Sequence, residues 1–354
     1  SPDGPAGAPG IGGTHVGRGA AGDPGAVGVA GASYGSFFEA YDPGAGGGGL
    51  SEGLPREGGD GGGVFRLFAN RAVIDGVVTG AGEASAAGAG AGGAIRFDTW
   101  DGILGAGRVE VSGGDGDGGG GGGMIALPWG AAGFGIAVAP GGTGPAEALG
   151  GAGSVSRGAH REELWFDNGR PERGGLASAA TDPAGIGSGT VTEVDGVDVR
   201  AAGSAWKRGI VGRFVQFSRA GVDIGSYVVV DLDLATSTIR LEDAALGQVL
   251  PGDAYRGSLG IASLFVRGRA RLVLSDHLVN GDGSLSHVEV DSSSTLVAPG
   301  VSIVEPPAES CEPRLPSSLP NHESSLLKKG LDTDRRRPKV VLPPSARPGI
   351  QLFP

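Results

Sequence analysis

The feature that most constrains this chain is a phrase that returns at a fixed interval. GGVFRLFANRAVIDGVVTGAG is followed by GGAIRFDTWDGILGAGRVEVSGGDG and then by GGMIALPW. The step from Gly62-Gly63 to Gly92-Gly93 is repeated from there to Gly122-Gly123, and the same step separates Arg66 from Arg96. Each copy opens on a glycine pair, runs through two short apolar stretches and ends in glycine. Such a chain predicts units that bury their apolar faces against their sequence neighbours and need no central globule.

Composition agrees with thin layers. The 354 residues include 74 glycines, and aromatic residues make up only 5%, against an average glycine usage of about 7%. The recurrent runs VFRLF, AVIDGVV, AIRFDTW, ILGAGRVEV, MIAL and FGIAVAP are short, bounded by glycine and in places alternate apolar with polar, which predicts strands. The fold class expected is all-β: a parallel β-helix with glycine-rich turns, interrupted by a small inserted β-domain. In it the glycines serve corners that need positive φ, GGDGDGGGGGG at 113–123 reads as a mobile tract, and Arg66 and Arg96 occupy equivalent solvent-facing slots.

Five stretches follow. Residues 1–60 form a Gly/Ala/Pro-rich segment without the strict glycine period of collagen, and its cluster of Tyr34, Phe37, Phe38 and Tyr41 is suited to cap the first open turn of a stack. Residues 61–187 carry the glycine-rich solenoid, with Leu164, Trp165 and Phe166 as one more buried strand before the turn Asp167-Asn168-Gly169. Residues 188–258 read as a small β-domain with a core that includes Trp206, Phe214 and Tyr227. Solenoid texture resumes over 259–304. The proline-rich stretch 305–354, which holds the single cysteine, Cys311, reads as disordered.

Charge and motifs exclude more than they assign. A net charge of −11 is wrong for a nucleic-acid partner, and no apolar run reaches the length of a membrane span. The chain opens at Ser1-Pro2-Asp3-Gly4 without a secretion signal and reads as a mature piece or fragment. Gly31-Ala32-Ser33-Tyr34-Gly35 matches a nucleophile elbow, but Asp42-Pro43 and a glycine run cut short the helix that an elbow needs. Asp115 and Asp117 carry hard oxygens for Ca²⁺, yet miss the phase of the calcium-binding nonapeptide, so solvated loop acids are the stronger reading. His15, His160, His277, His287 and His322 lack the spacing of a zinc site. The acid pairs Asp231 with Asp233 and Asp276 with Asp282 are weighed as sugar-cleaving carboxylates and read as surface charge. No catalytic, cofactor-binding or metal-ligating residue is assigned, and no cofactor is expected.

Further stretches carry a resemblance. GGTHVGRGAAG, ASYGS, PGAGGGG, GGGVFRLFANRAVIDGVVTGAGE, GGAIRF, GGGGGGMIAL and ELWFDNG together resemble a glycine-rich parallel β-helix module, a pectin-lyase-like solenoid, of large secreted bacterial surface and adhesin-like proteins. GTVTEVDG, Ala205-Trp206-Lys207, Ile210-Val211-Gly212 and PGDAYRG resemble a small β-domain often found beside it. Val16, Val64 and an extra residue in WDGILGAGRVEV depart from the pattern. The resemblance implies an extracellular or cell-surface location and a non-enzymatic structural or adhesive role, with a surface glycan or another surface protein as partner. A polysaccharide-binding or polysaccharide-cleaving β-helix is the alternative, favoured by exposed aromatics and acids gathered on one face.

Overall fold

The computed structural model describes residues 11–21, 31–50, 56–128, 134–144, 149–158, 163–169, 178–182, 185–204, 206–279, 287–291, 293–298 and 350–351. They belong to one unit, Ser1–Val301 with Pro348–Pro354. Most of the stretch expected to be disordered, with Cys311 and His322, lies outside the described residues, as do His160 and Asp282. The structure is all-β: among the described residues the helical elements are two short 3₁₀ turns, Arg208–Ile210 and Asp243–Ala245.

The first repeat supplies β1 (Val64–Ala69), β2 (Ala72–Val73), β3 (Val77–Thr79) and β4 (Ser85–Gly88). The second supplies β5 (Ala94–Thr99), β6 (Ile103–Leu104), β7 (Arg108–Glu110) and β8 (Gly116–Gly118). The chain then forms β9 (Met124–Leu127), β10 (Ile136–Val138), β11 (Ser154–Arg157), β12 (Glu163–Asp167) and β13 (Ala180–Thr181). Strands β1, β5, β9 and β11 lie side by side and parallel, with Val64 opposite Ala94, Ala94 opposite Met124 and Met124 opposite Ser154, so each pairing spans one repeat interval. The extra residue of WDGILGAGRVEV is absorbed after β5: Ala69 pairs Thr99, while Ala72 pairs Ile103 and Val77 pairs Arg108. A register shift between β4 and β8 restores the interval, since Gly88 faces Gly118.

Period-two alternation gives the sheet two buried faces. Ala94, Met124 and Ala126 join Phe37, Phe38, Leu164 and Phe166 on one side. Ile95, Phe97, Ile125, Leu127 and Val155 join Val109, Val111 and Phe134 on the other. At β11 the order changes. The link from Arg157 to Glu163 is too short for a parallel crossover, and the two strands pair antiparallel. The seven-stranded sheet, continued by β20 (Ser263–Arg267) and β23 (His287–Val290), is therefore mixed, a departure from the wholly parallel winding expected. β20 and β23 also follow each other at a shorter interval than the early copies, with Ser263 opposite His287. Trp165 departs too: Leu164 and Phe166 are buried, while Trp165 stacks at 3.9 Å on Phe265 on the half-exposed opposite face.

The glycine tracts do a different job from the one expected. Residues 80–93 and 111–123, and 139–144 with 149–153, form paired legs: the Gly93 N–H donates to Gly80 O at 2.7 Å, Gly123 to Val111 O at 2.8 Å and Gly153 to Ala139 O at 2.7 Å. Successive pairs bond to each other, as in Gly92 N–H to Gly121 O and Gly122 N–H to Gly151 O, both 2.9 Å. Residues 11–21, 44–50 and 56–62 bind the same bundle, as in Gly13 N–H to Ala89 O, Ala91 N–H to Ala45 O and Gly59 N–H to Gly88 O. These tract glycines do not have positive φ, which appears instead at corners such as Gly102 (86°) and Gly105 (110°). Close approach explains them. A Cβ on Gly92 would lie 2.7 Å from the Gly123 nitrogen and closer still to Val111 O. GGDGDGGGGGG is thus a largely buried, hydrogen-bonded layer, and its acids are engaged: Asp115 accepts the Thr143 N–H, and Asp117 lies 3.5 Å from Arg56.

Between β13 and β20 the chain forms β14 (Ser188–Asp195), β15 (Asp198–Ala201), β16 (Phe214–Arg219), β17 (Val222–Asp233), β18 (Thr238–Leu241) and β19 (Ala254–Gly260). Antiparallel pairing runs β14-β15-β18-β17-β16-β19 and returns to β14, closing a six-stranded barrel. Val191, Trp206, Val215, Phe217, Tyr227 and Ile239 fill it, as side chains fill small barrels, while Phe214 is half-buried. After β20 come β21 (Arg271–Val273), β22 (His277–Val279) and β24 (Thr295–Val297). The weighed pair Asp276 and Asp282 gives way to a structural anchor. Asp276 accepts the N–H groups of Ile186 and Gly187, both at 3.0 Å, and the buried Arg213 at 2.9 Å, so it ties the barrel's entry and its β16 edge to β22.

Candidate functional site

Arg66 and Arg96 form the starting point, because parallel register places them directly opposite each other. Two like charges on adjacent strands repel unless carboxylates intervene. Both are half-buried, against the expectation of solvent-facing residues, and two acids answer them. The Arg96 Nε donates to Asp98 Oδ1 at 2.8 Å, and its Nη1 pairs with Glu39 and donates to Phe38 O at 3.0 Å. Arg66 Nη2 stands 3.6 Å from Asp98 and 3.9 Å from Glu39. Burial works against the Arg96 charge, and the Glu39 and Asp98 carboxylates outweigh it, raising its pKa.

Glu39 arrives on a strap, residues 36–41, that crosses this face of the sheet. Ser36 fixes its start: the hydroxyl donates to Val211 O at 2.8 Å and accepts the Phe38 N–H at 3.1 Å, a local turn typical of serine. Phe37 is buried edge-on to Phe166 at 5.2 Å and lies under the Arg213 guanidinium at 5.1 Å. The aromatic cluster expected to cap the stack therefore packs on its flank. The edges of β1, β2 and β3 remain the outer strands of their sheets, with Phe65, Val73 and Val77 exposed.

The strap and the carboxyl ends of β1, β5, β9 and β11 enclose a groove of about 780 Å³, within the range of ligand sites. Phe38, Glu39, Arg96, Asp98 and Ser156 line it, and Phe68, Asn70 and Trp100 stand at the strand ends. Trp100 is 89% exposed and Phe68 69%. The Arg66 guanidinium lies 5.1 Å from the Phe68 ring centre and 5.3 Å from that of Tyr41. The site thus offers aromatic surface beside a charge-balanced polar floor.

Other weighed residues have structural duties. Ser33 is 1% exposed and its hydroxyl accepts the Asp182 N–H at 3.1 Å, so it is no exposed nucleophile. His15 is buried, its Nδ1 bonded to Gly92 O at 2.8 Å, and burial lowers its pKa to about 4. Asp233 accepts from Thr236 and the Ala235 N–H, holding a hairpin turn, and Asp231 accepts the Leu232 N–H. His287, on β23, lies 3.6 Å from Glu289. Among the described residues no group of three His, Cys, Asp or Glu is placed to hold a metal, and no helix is long and apolar enough to cross a membrane.

Glu39, Phe68, Asp98 and Trp100 were not singled out from the sequence. The repeat carried a signal for two of them: an arginine recurring in the same slot of stacked strands requires counter-charge, and Asp98 shares the face of Arg96 two residues on. Against known proteins, no family model, curated protein or solved structure matches this chain.

Proposed function

We propose that this chain is a non-enzymatic structural or adhesive segment of an extracellular or cell-surface protein, built on a parallel β-helix whose early coils share one length. The observation that carries the reading is the constant register of β1, β5, β9 and β11, joined to a glycine bundle in which backbone bonds tie each coil to the next. Coils bonded to one another in this way suit a spacer that presents a flank to its surroundings. Beads carrying the protein are expected to be retained in flow on cell-surface material more strongly than beads carrying the heat-unfolded chain. Equal retention of both, or turnover of any oligosaccharide by the protein, counts against the reading.

Polysaccharide binding is a second reading, favoured by the exposed Trp100 and Phe68 beside the groove. Cleavage is disfavoured by geometry. The carboxylates of Glu39 and Asp98 are both engaged by Arg96, whereas glycoside hydrolysis needs one carboxyl to protonate the leaving oxygen and another to act opposite it.

A further inference from the structure

We infer that the groove beside Phe68 and Trp100 binds an uncharged polysaccharide chain laid across the ends of β1, β5, β9 and β11. The inference rests on the adhesive reading and names the ligand class of its contact site.

Exposure comes first. A tryptophan 89% exposed and a phenylalanine 69% exposed on the same groove leave apolar ring faces in water, in a chain where aromatics are only 5% of residues. Apolar surface gathered at a concavity marks a contact site. A flat ring with polar neighbours matches a pyranose, whose C–H face is apolar and whose rim carries hydroxyls. Asn70 supplies both a donor and acceptor, and Glu39 and Asp98 supply acceptors along the groove.

Shape then selects a chain over a single small molecule. Four neighbouring strands contribute to the lining, and at about 4.8 Å between strands they span roughly 14 Å. Charge selects an uncharged chain. Arg66 and Arg96 are both matched by Glu39 and Asp98, which leaves no unmatched cation among these four to hold a uronate or sulfate. The net charge of −11 repels polyanions on approach.

The test is titration calorimetry of the whole chain with neutral hexasaccharides of β-1,4-glucan, β-1,4-mannan, β-1,4-xylan and α-1,4-glucan, and with a hexagalacturonate. At least one neutral oligomer is expected to bind, and Trp100→Ala and Phe68→Ala each to weaken it by roughly tenfold or more, the scale of one aromatic contact. Val77→Ala, on an exposed edge away from the groove lining, is expected to bind like wild type. Since both groove side chains are exposed, the melting temperature of each variant is expected to stay within about 2 °C of wild type, which separates lost binding from lost folding. Failure of every neutral oligomer to bind, a preference for the galacturonate, or undiminished binding by Trp100→Ala overturns the inference. Bead retention that survives Trp100→Ala also overturns it while leaving the adhesive reading standing; absent retention of the wild-type protein sinks that reading instead.

Discussion

Replacing Gly92 by alanine tests what the glycines are for. The added methyl would meet the Gly123 nitrogen at 2.7 Å and Val111 O at a still shorter distance, so the two legs must part. The bonds at stake are Gly123 N–H to Val111 O at 2.8 Å and Gly92 N–H to Gly121 O at 2.9 Å. With one group left unpaired per broken bond, at about 1–3 kcal/mol each, the cost is about 2–6 kcal/mol for the two bonds. Alanine returns about 0.4–1 kcal/mol by restricting the unfolded chain, so the net loss expected is about 1–6 kcal/mol, a large share of a domain's total stability. Gly63→Ala is the control, because a Cβ there meets nothing within 4 Å and φ is not positive; it is expected to be neutral or slightly stabilising. Urea unfolding followed by circular dichroism measures both. A Gly92→Ala protein that stays within about 0.5 kcal/mol of wild type, the range of an inconsequential surface change, would refute the close-packing account and return the tracts to the role of flexible connectors.

Three further outcomes are expected. Because burial lowers the His15 pKa from 6.5 to about 4, the folded state prefers the neutral ring; stability is full above pH 6.5 and falls as pH drops towards 4, by about 3 kcal/mol. His15→Gln is expected to flatten that part of the pH-stability curve, and an unchanged slope counts against the assignment. Asp276→Asn leaves Arg213, itself 1% exposed, without its counter-charge; a loss of about 3–5 kcal/mol in urea unfolding is expected, and a loss under about 1 kcal/mol refutes the anchor. Arg96→Met removes the groups that hold Glu39, Asp98 and Phe38 O, so hydrogen exchange is expected to accelerate at 38–41 while β14–β19 keep their protection; unchanged exchange in the strap speaks against the clamp.

The repeat interval was legible because it is a property of spacing, and spacing survives into register: Gly62, Gly92 and Gly122 precede β1, β5 and β9 at the same distance. The reversal after β11 was not, since nothing in SVSRGAHREELWFDNG marks direction, and the apolar alternation of a strand is the same read parallel or antiparallel. The tract glycines were visible but misassigned. Glycine answers both to positive φ and to close backbone approach, and sequence alone does not separate the two, whereas the Cβ positions at Gly92 and Gly120 do. Closure of the barrel was equally hidden, because it depends on β14 meeting β19, where Ser188 pairs with Arg256 from the far end of the stretch 188–258.

The groove shows how a repeat generates a site that no copy contains. Stacking in register brings Arg66 against Arg96, and that repulsion has to be met from outside the first strand. Asp98 meets part of it from the second copy, and Glu39 meets the rest from a strap that is no part of the repeat. The third copy breaks the pattern: Ala126 stands where the arginine would recur, so the strap is not carried further by charge and the space over Ala126 stays open as groove. Trp100 belongs to the same irregularity, for it sits in the bend after β5 where the extra residue of the second copy is absorbed. Regular register therefore builds the wall, and two of the places where the copies differ, Ala126 and the Trp100 bend, open and edge the cleft.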